Sequence, residues 1–519
     1  MQQRPYNILF HTHTVSGIVI CVALYVIFFT GSFSFFRDEI TNWQRDEQPA
    51  VIDAIPEDVD GLIATIGKSH VLKHRDIEIS RYYNEKRINV NMGAVQDTLV
   101  PEEQRGGIFF SLNPEDATEH TYEESYGLGE FLYRLHFLDQ IPYPYGRFLA
   151  GLVAFFFLFA IITGILVHWD KMVKNFYVFR PWAKLKTVWT DAHTALGVIG
   201  FPFQFMYAVT GAFFLLKAIF VFPSVIGLYN GDESKLYDEL EYNHPVFPPE
   251  GEPLEGKASI NPLIQRTKQE WPGFQVQEAH IFNYGDANMH VAISGHLEPS
   301  RKLNSSGHVI YRMSDRSVVS SLNPETNDRY LDGVKNLLFR LHFGDFGGTA
   351  LRVIYFVLGL ISCFVILSGI LIWVSARDKK NVPDRKRRFY RAVGHWYLAI
   401  CLSMYPVTAL SFILVKAFPD SGRSFLYLIY FIPWGILSAL FILKKDNAFT
   451  NRQCLLWGGI LGLMVPVVNA IFSGNWIGTN LARNFHDAVL VDVLWIVLGL
   501  FSLWLVFFKL KKRITPPVA

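Results

Sequence analysis

Cysteine is scarce in this chain: Cys21, Cys363, Cys401 and Cys454 are the only four in 519 residues. Each lies in or beside an apolar run, none lies in the long polar stretches, and no two are closely spaced. That pattern excludes a disulfide framework, a Cys-based zinc site and a covalently attached haem. Charge is also sparse, at 18% of residues with a net of +2, so bulk charge points to no nucleic-acid partner. Several motifs are missing. There is no Gly-x-Gly-x-x-Gly fingerprint or P-loop, and nothing in the sequence resembles a flavin or nicotinamide domain. Without His-Glu-x-x-His or Gly-x-Ser-x-Gly a hydrolase has little support.

What is present is apolar. Half of the residues are hydrophobic and mean hydropathy is +0.21. Runs long enough to span a bilayer recur at roughly 14–36, 147–169, 192–217, 350–375, 391–416, 424–443, 453–472 and 488–508. The first follows a short basic N-terminus but is too long for a signal h-region. No Ala-x-Ala site follows it, so it reads as an uncleaved first helix. Basic linkers follow spans two ("KMVKNFYVFRPWAKLK"), four ("RDKKNVPDRKRR"), six ("KKDNAFTNR") and eight ("KLKKR"). All fall on one side if both termini are inside, which is the orientation the positive-inside rule selects. Two long polar segments, 37–146 and 218–349, then lie outside. Alternating stretches such as "RINVNM" and "MHVAISG", punctuated by Gly and Asn, predict a small α+β domain in each.

The chain also repeats itself. "HTVSG" at 13–17 matches "HTALG" at 193–197, and each leads to Thr-Gly, at Thr30-Gly31 and Thr210-Gly211. "SLNPE" occurs at 111–115 and 321–325, near the ends of the polar segments. "LYRLHF" at 132–137 matches "LFRLHF" at 338–343, and spans two and four carry "TGIL" at 163–166 and "SGIL" at 368–371. Residues 1–170 and 190–375 are thus two copies of helix, outer domain, Arg-Leu-His, helix, related by a pseudo-twofold along the membrane normal. Residues 391–519 form an additional four-span region outside the repeat, although "MYPVTALSFILVKA" loosely echoes "MYAVTGAFFLLKA".

The repeat places four histidines equivalently. His13 and His193 begin spans one and three on the inner side, and His136 and His342 precede spans two and four on the outer side. A symmetric imidazole pair near each face is what a six-coordinate b-type haem requires, one nitrogen on each side of its plane. Two haems are expected, with room for a third. Gly17 and Gly197, four residues after their histidines, and Gly31 and Gly211 share the histidine face and would admit a macrocycle or a close helix. Ordinary helix packing uses the same small residues. Arg134 and Arg340 could reach haem propionates, or lipid headgroups. Interfacial anchoring and a proton relay are the other uses for such histidines. His11 aligns with Asp191 and His168 with Trp373, so neither is matched across the repeat, while His395 in span five is a further candidate. Histidines in the polar segments point to no clustered iron site.

These motifs resemble the PepSY-associated transmembrane family, which includes bacterial iron-regulated membrane proteins and inner-membrane ferric-siderophore reductases. The likeness covers residues 1 to about 376. It implies a polytopic α-helical membrane protein of the bacterial inner membrane, N-in and C-in, with two periplasmic α+β PepSY-like domains inserted in a duplicated four-helix haem core. It also implies His13, His136, His193 and His342 as haem ligands, and electrons passed outward to a ferric-siderophore or other Fe(III) chelate. The donor would be a separate reductase or the quinol pool. Two departures stand out. Thr14 and Thr194 follow the histidines where the family often has a basic or aromatic residue, and the extra four spans are not covered. Two other functions stay open. One is a PepSY-based binding or regulatory protein that restrains a periplasmic peptidase. The other is a proton- or metal-coupled transporter, against which counts the scarcity of ionisable residues in the central turns of spans five to eight.

Overall fold

The computed structural model describes residues 3–49, 54–95, 102, 105–169, 180, 183, 185–240, 245–298, 302 and 304–510. Most of the basic linker after span two, and most of that after span eight, lies outside these residues. In chain order, α1 (Gln3–Ser34) turns at Phe36 into the short α2 (Arg37–Arg45). Then come α3 (Val59–Ile66), strands β1 (Ile77–Ser80), β2 (Ile88–Met92), β3 (Ile108–Leu112) and β4 (Glu119–Thr121), α4 (Leu128–His136) and α5 (Tyr145–His168). The second copy runs α6 (Leu185–Tyr229), a short α7 (Glu233–Glu239), α8 (Asn261–Glu270), β5 (Gln275–Phe282), β6 (His290–His296), β7 (Ser306–Arg312), β8 (Val318–Leu322), α9 (Tyr330–Phe343) and α10 (Gly348–Arg377). The chain closes with α11 (Asp384–Ala417), α12 (Gly422–Lys444), α13 (Asn447–Ser473), α14 (Ile477–Ala482) and α15 (His486–Trp504).

Eight of these helices are long and apolar enough to cross a membrane, in the order the hydropathy pattern predicts. The chain is a multi-pass membrane protein. Two ends differ from the sequence expectation. α1 begins at Gln3 rather than near residue 14, and α6 continues past residue 217 to Tyr229 with Pro202 and Pro223 inside it. A proline costs a helix one amide donor but leaves its far side intact, so a long apolar helix tolerates it where neighbours or lipid hold the shape.

Four helices form a closed ring: α1 packs on α5, α5 on α6, α6 on α10 and α10 on α1. The equivalent helices α1 and α6 therefore lie diagonally opposite, as a pseudo-twofold requires. α11, α12, α13 and α15 make a second bundle beside α1 and α10.

The two polar segments build one structure, not two separate domains. Their strands form a single eight-stranded sheet in the order β4-β3-β2-β1-β5-β6-β7-β8, antiparallel throughout. β1 meets β5 with Ile77 opposite Ile281 and Ser80 opposite Glu278. Unpaired, each of these strands would be a bare edge open to aggregation. Strands related by a twofold normal to their sheet run antiparallel, so the β1–β5 junction carries the pseudo-twofold. Alternate residues, including Ile79, Val90, Ile281, Ile293 and Val309, are buried on one face beneath Val59 and Ile63 of α3 and Leu263 and Ile264 of α8.

The sheet also corrects one part of the repeat. The first "SLNPE" sits in the β3–β4 hairpin, but the second straddles the end of β8 and leads into α9. What they share is a local turn, in which Asn113 and Asn323 accept the amides of Glu115 and Glu325 at 3.1 and 2.9 Å. The true counterpart of the β3–β4 turn is the β7–β8 turn. There Asp315 accepts the Ser317 amide at 3.0 Å, as Asp116 accepts the Thr118 amide at 3.0 Å. Ala117 and Arg316 hold φ of 59° and 57° at the same place in each.

The second bundle grips the first copy through α2. Trp43 donates its indole N–H to Asp492 at 2.9 Å, and its carbonyl accepts the Lys416 ammonium at 2.5 Å. Asn42 donates to Asp487 at 2.7 Å, and Gln44 donates to the Pro419 carbonyl at 3.0 Å. α4 joins this contact through Phe131, whose ring lies 4.9 Å from that of Tyr430 on α12.

Candidate functional site

The four repeat-matched histidines come together in two pairs. His13 and His193 stand with ring centroids 6.3 Å apart at the end of the ring far from the sheet. His136 and His342 stand 6.0 Å apart at the sheet side. Two imidazole nitrogens bound trans on one metal at about 2.0 Å each put ring centroids about 6 Å apart.

Each ring is oriented by a hydrogen bond at Nδ1. His13 donates to the Ala160 carbonyl at 2.8 Å and His193 to the equivalent Val365 carbonyl at 2.9 Å, with Ser368 Oγ at 3.0 Å. His136 donates to the Ile27 carbonyl at 2.7 Å. His342 meets Thr210 Oγ1 at 2.7 Å, and that hydroxyl donates its own proton to the Met206 carbonyl at 2.7 Å. A carbonyl can only accept, so the proton of each neutral ring sits on Nδ1. Nε2 is then the lone-pair nitrogen in all four, the tautomer a metal-ligating histidine takes when a carbonyl fixes its other nitrogen.

Glycines decide how closely helices approach these rings, but not the ones expected first. A Cβ at Gly31 would fall 2.5 Å from His136 Nδ1, one at Gly164 3.0 Å from His13 Cε1, and one at Gly369 3.4 Å from His193 Cε1. A Cβ at Gly17 or Gly197 would meet nothing within 4 Å, and at Gly211 only Ala154 at 3.3 Å. Gly164 and Gly369 are the glycines of "TGIL" and "SGIL", so the repeat already held the signal. His136 and His342 both line a cavity of about 250 Å³, whose walls also include Gly31, Ala150, Ala154, Ala208 and Gly211. Small side chains and aromatic walls suit a flat apolar ligand there.

The arginines are engaged locally. Arg134 donates to Glu130 and Asp139 at 2.5 Å each, and Arg340 pairs with Asp345, the repeat counterpart of Asp139. Each pair closes the turn just after a histidine-bearing helix. The arginine that lines the cavity is instead Arg147, bonded to Asp139 at 2.7 Å. Burial would raise the Asp139 carboxyl, but hydrogen bonds from Arg147 and Arg134 hold it below the usual carboxylate range. The equivalent of Arg147 is Arg352, which pairs with Glu39 at 2.6 Å. Both arginines precede the Thr163 and Ser368 positions by the same interval, which the sequence shows but a search for motifs passes over.

The remaining histidines stand apart from the pairs. His11 is exposed against Phe10, and His395 is tied to Asn447 at 2.6 Å at the start of α13. The His168 side chain lies outside the described residues. On the sheet, His70 pairs with Glu119 at 2.8 Å and His290 stacks on Phe247 at 3.7 Å. Among the described residues no group of three or more His, Cys, Asp or Glu could hold a metal ion.

Comparison with known proteins supports the repeat region. A family model described as PepSY-associated TM region matches residues 10–376. The Uncharacterized protein PA4219 of Pseudomonas aeruginosa is 24% identical over 308 residues, which cover 58% of this chain and 77% of that protein.

Proposed function

The chain belongs to the family of PepSY-associated TM regions, and from that premise and its paired histidines we propose that it is a di-haem reductase of the bacterial inner membrane. It would pass electrons from the cytoplasmic side or the quinol pool to a ferric-siderophore or other Fe(III) chelate in the periplasm. The observation that carries this reading is the set of Nδ1 hydrogen bonds. All four repeat-matched rings present Nε2 as the lone-pair nitrogen, and the members of each pair stand about one metal's width apart. A haem b held by each pair supplies reversible one-electron chemistry.

The chain's own residues do the rest. Ala160, Val365 and Ile27 carbonyls and the Thr210 hydroxyl fix ring orientation. Gly31, Gly164 and Gly369 let the helices close on the rings. The mostly apolar walls of the sheet-side cavity would lower the dielectric around a bound group. The positive-inside rule, applied to the basic linkers, favours a cytoplasmic position for the His13–His193 pair and a periplasmic one for the sheet. Siderophore oxygens are hard donors that suit Fe(III) better than Fe(II), so one electron delivered at the periplasmic face loosens the chelate.

The test is the purified full-length protein. It should be red, contain two haems per chain, and show a Soret band with sharp α-bands after dithionite. His136→Ala should remove one haem and leave the other. Colourless protein from haem-replete cells would end this reading, and loss of both haems, or of neither, in His136→Ala would end the two-site pairing.

A further inference from the structure

We propose that the sheet-side pair is unequal by construction: His136 is fixed, and His342 is the ring that leaves, opening one metal position to a small donor such as imidazole or carbon monoxide. This rests on the haem reading above. If a haem were held there, His342 Nε2 would give up its place to the donor's lone pair, one two-electron donor replacing another with no change of oxidation state.

Three differences between the copies carry it. The first is the tether. His13 and His193 bond to symmetry-equivalent carbonyls, Ala160 and Val365, and His136 bonds to the Ile27 carbonyl. The carbonyl equivalent to Ile27 is that of Tyr207, yet His342 meets the Thr210 side chain instead. A backbone carbonyl in a helix cannot turn away, whereas a threonine hydroxyl is a single group that one substitution removes. The second is the wedge. Gly31 lies directly against the His136 ring, but its counterpart Gly211 has only Ala154 near it, not His342.

The third is the supporting helix. On α4, Leu128, Gly129, Glu130, Phe131, Leu132 and Leu135 are buried. On α9 no residue is. The clamp of the second bundle explains this. Arg37 of α2 donates to Glu130 at 2.8 Å, Gln44 accepts the Leu128 amide at 2.8 Å, and Gly129 lets α4 press against the Arg37 carbonyl and Thr41. Where α1 turns into α2, α6 continues as one helix to Tyr229, so among the described residues the stretch equivalent to α2 is part of α6, and the main helix contact of α9 is with α6. α9 is held by Asn336 to Asn304 at 2.7 Å and by the stacking of Phe339 on Phe214 at 4.6 Å. A helix with a small buried face draws its stability from few contacts and opens locally at low cost.

Full-length protein of measured haem content tests this in three ways. Backbone amides of α9 should exchange with deuterium at least tenfold faster than those of α4. Carbon monoxide should bind no more than half the haem of dithionite-reduced protein, and Thr210→Val should speed that binding about three- to tenfold, the worth of one hydrogen bond. Imidazole should restore the two-imidazole α-band in His342→Ala and not in His136→Ala. Equal exchange in α4 and α9, no carbon monoxide binding in either wild type or Thr210→Val, or equal rescue of the two alanine variants would overturn the proposal. Protein without haem would overturn the haem reading itself, whereas haem-loaded protein that fails these measurements overturns only the unequal pair.

Discussion

Gly31→Ala isolates the packing that sets the sheet-side pair. The added Cβ would fall 2.5 Å from His136 Nδ1, 2.7 Å from Cε1 and 3.3 Å from Cγ. Carbon atoms prefer about 3.5–4.0 Å, so the ring must withdraw by about 1 Å. That withdrawal stretches the 2.7 Å bond from Nδ1 to the Ile27 carbonyl. Overpacking costs about 1–3 kcal/mol and a weakened hydrogen bond about 1 kcal/mol more. A net loss of about 2–4 kcal/mol corresponds to roughly thirtyfold to several hundredfold weaker binding at that site. The control is built into the chain. Gly164→Ala and Gly369→Ala place Cβ 3.0 and 3.4 Å from His13 and His193, and Gly17→Ala meets nothing within 4 Å. The expected order of damage is therefore Gly31, Gly164, Gly369, Gly17. At Gly17 the better helix propensity of alanine, up to about 1 kcal/mol, works the other way. Haem-to-protein ratio and the α-band of each site, read across a haem titration, give the ranking. Gly17→Ala costing as much as Gly31→Ala, or Gly31→Ala binding at full affinity, would refute the packing argument.

Two further outcomes follow from the first copy's clamp. Asp492→Ala strands the indole N–H of Trp43 and the Asn469 amide, both 2.9 Å from the carboxylate and buried, and should cost about 3 kcal/mol. Thermal unfolding in detergent should rank wild type above Asp492→Asn above Asp492→Ala, and an unchanged Ala variant would remove the clamp from the account. At Glu39, burial pushes the carboxyl up to about 7, against the pull of Arg352. The folded state then keeps a proton that the unfolded chain loses near 4.5, so stability falls by about 1.4 kcal/mol per pH unit across that window and levels off above it. The wild-type unfolding midpoint should drop relative to Glu39→Gln between pH 5 and 7 and run parallel above 8, and parallel curves throughout would sink the assignment.

Much of this architecture is legible in the residues because the signals are local and doubled. Apolar runs mark all eight crossing helices, and the spacing of His13 to Thr30-Gly31 recurs at His193 to Thr210-Gly211. The structure brings those four histidines into the pairs that the repeat implies. What is not legible depends on contact between distant segments. The β1–β5 pairing joins strands about 200 residues apart, and alternation within either strand says nothing about it. The "SLNPE" match misleads because Asn113 and Asn323 build the same short turn at different places in the sheet. Helical periodicity puts Gly17 and Gly31 on one face, but which of them touches a ring depends on where α4 crosses α1. Arg134 and Arg340 are the arginines nearest the histidines in sequence. Five residues further on, Asp139 and Asp345 take them as partners, and the cavity falls to Arg147.

The same duplication that makes the site also has to be broken for it to act on something outside. A perfect twofold through the β1–β5 junction and the helix ring would make both sheet-side histidines equally held. The largest departure from it is at the end of the first helix of each copy. α1 stops at Ser34 and sends α2 sideways into α15, while α6 continues to Tyr229. The clamp on α4 goes with that choice. Trp43 can reach Asp492 only because α2 lies across the bundle, Gln44 can cap α4 only because Trp43 is held, and Phe131 can meet Tyr430 only because α4 is pressed down. The second bundle thus spends its buried polar contacts on one copy. If Trp43→Ala released α2, α4 should lose the protection that distinguishes it from α9, and deuterium exchange of the two helices should converge. Persistence of the difference would place its origin in α4 itself and detach the second bundle from the histidine it is argued to hold.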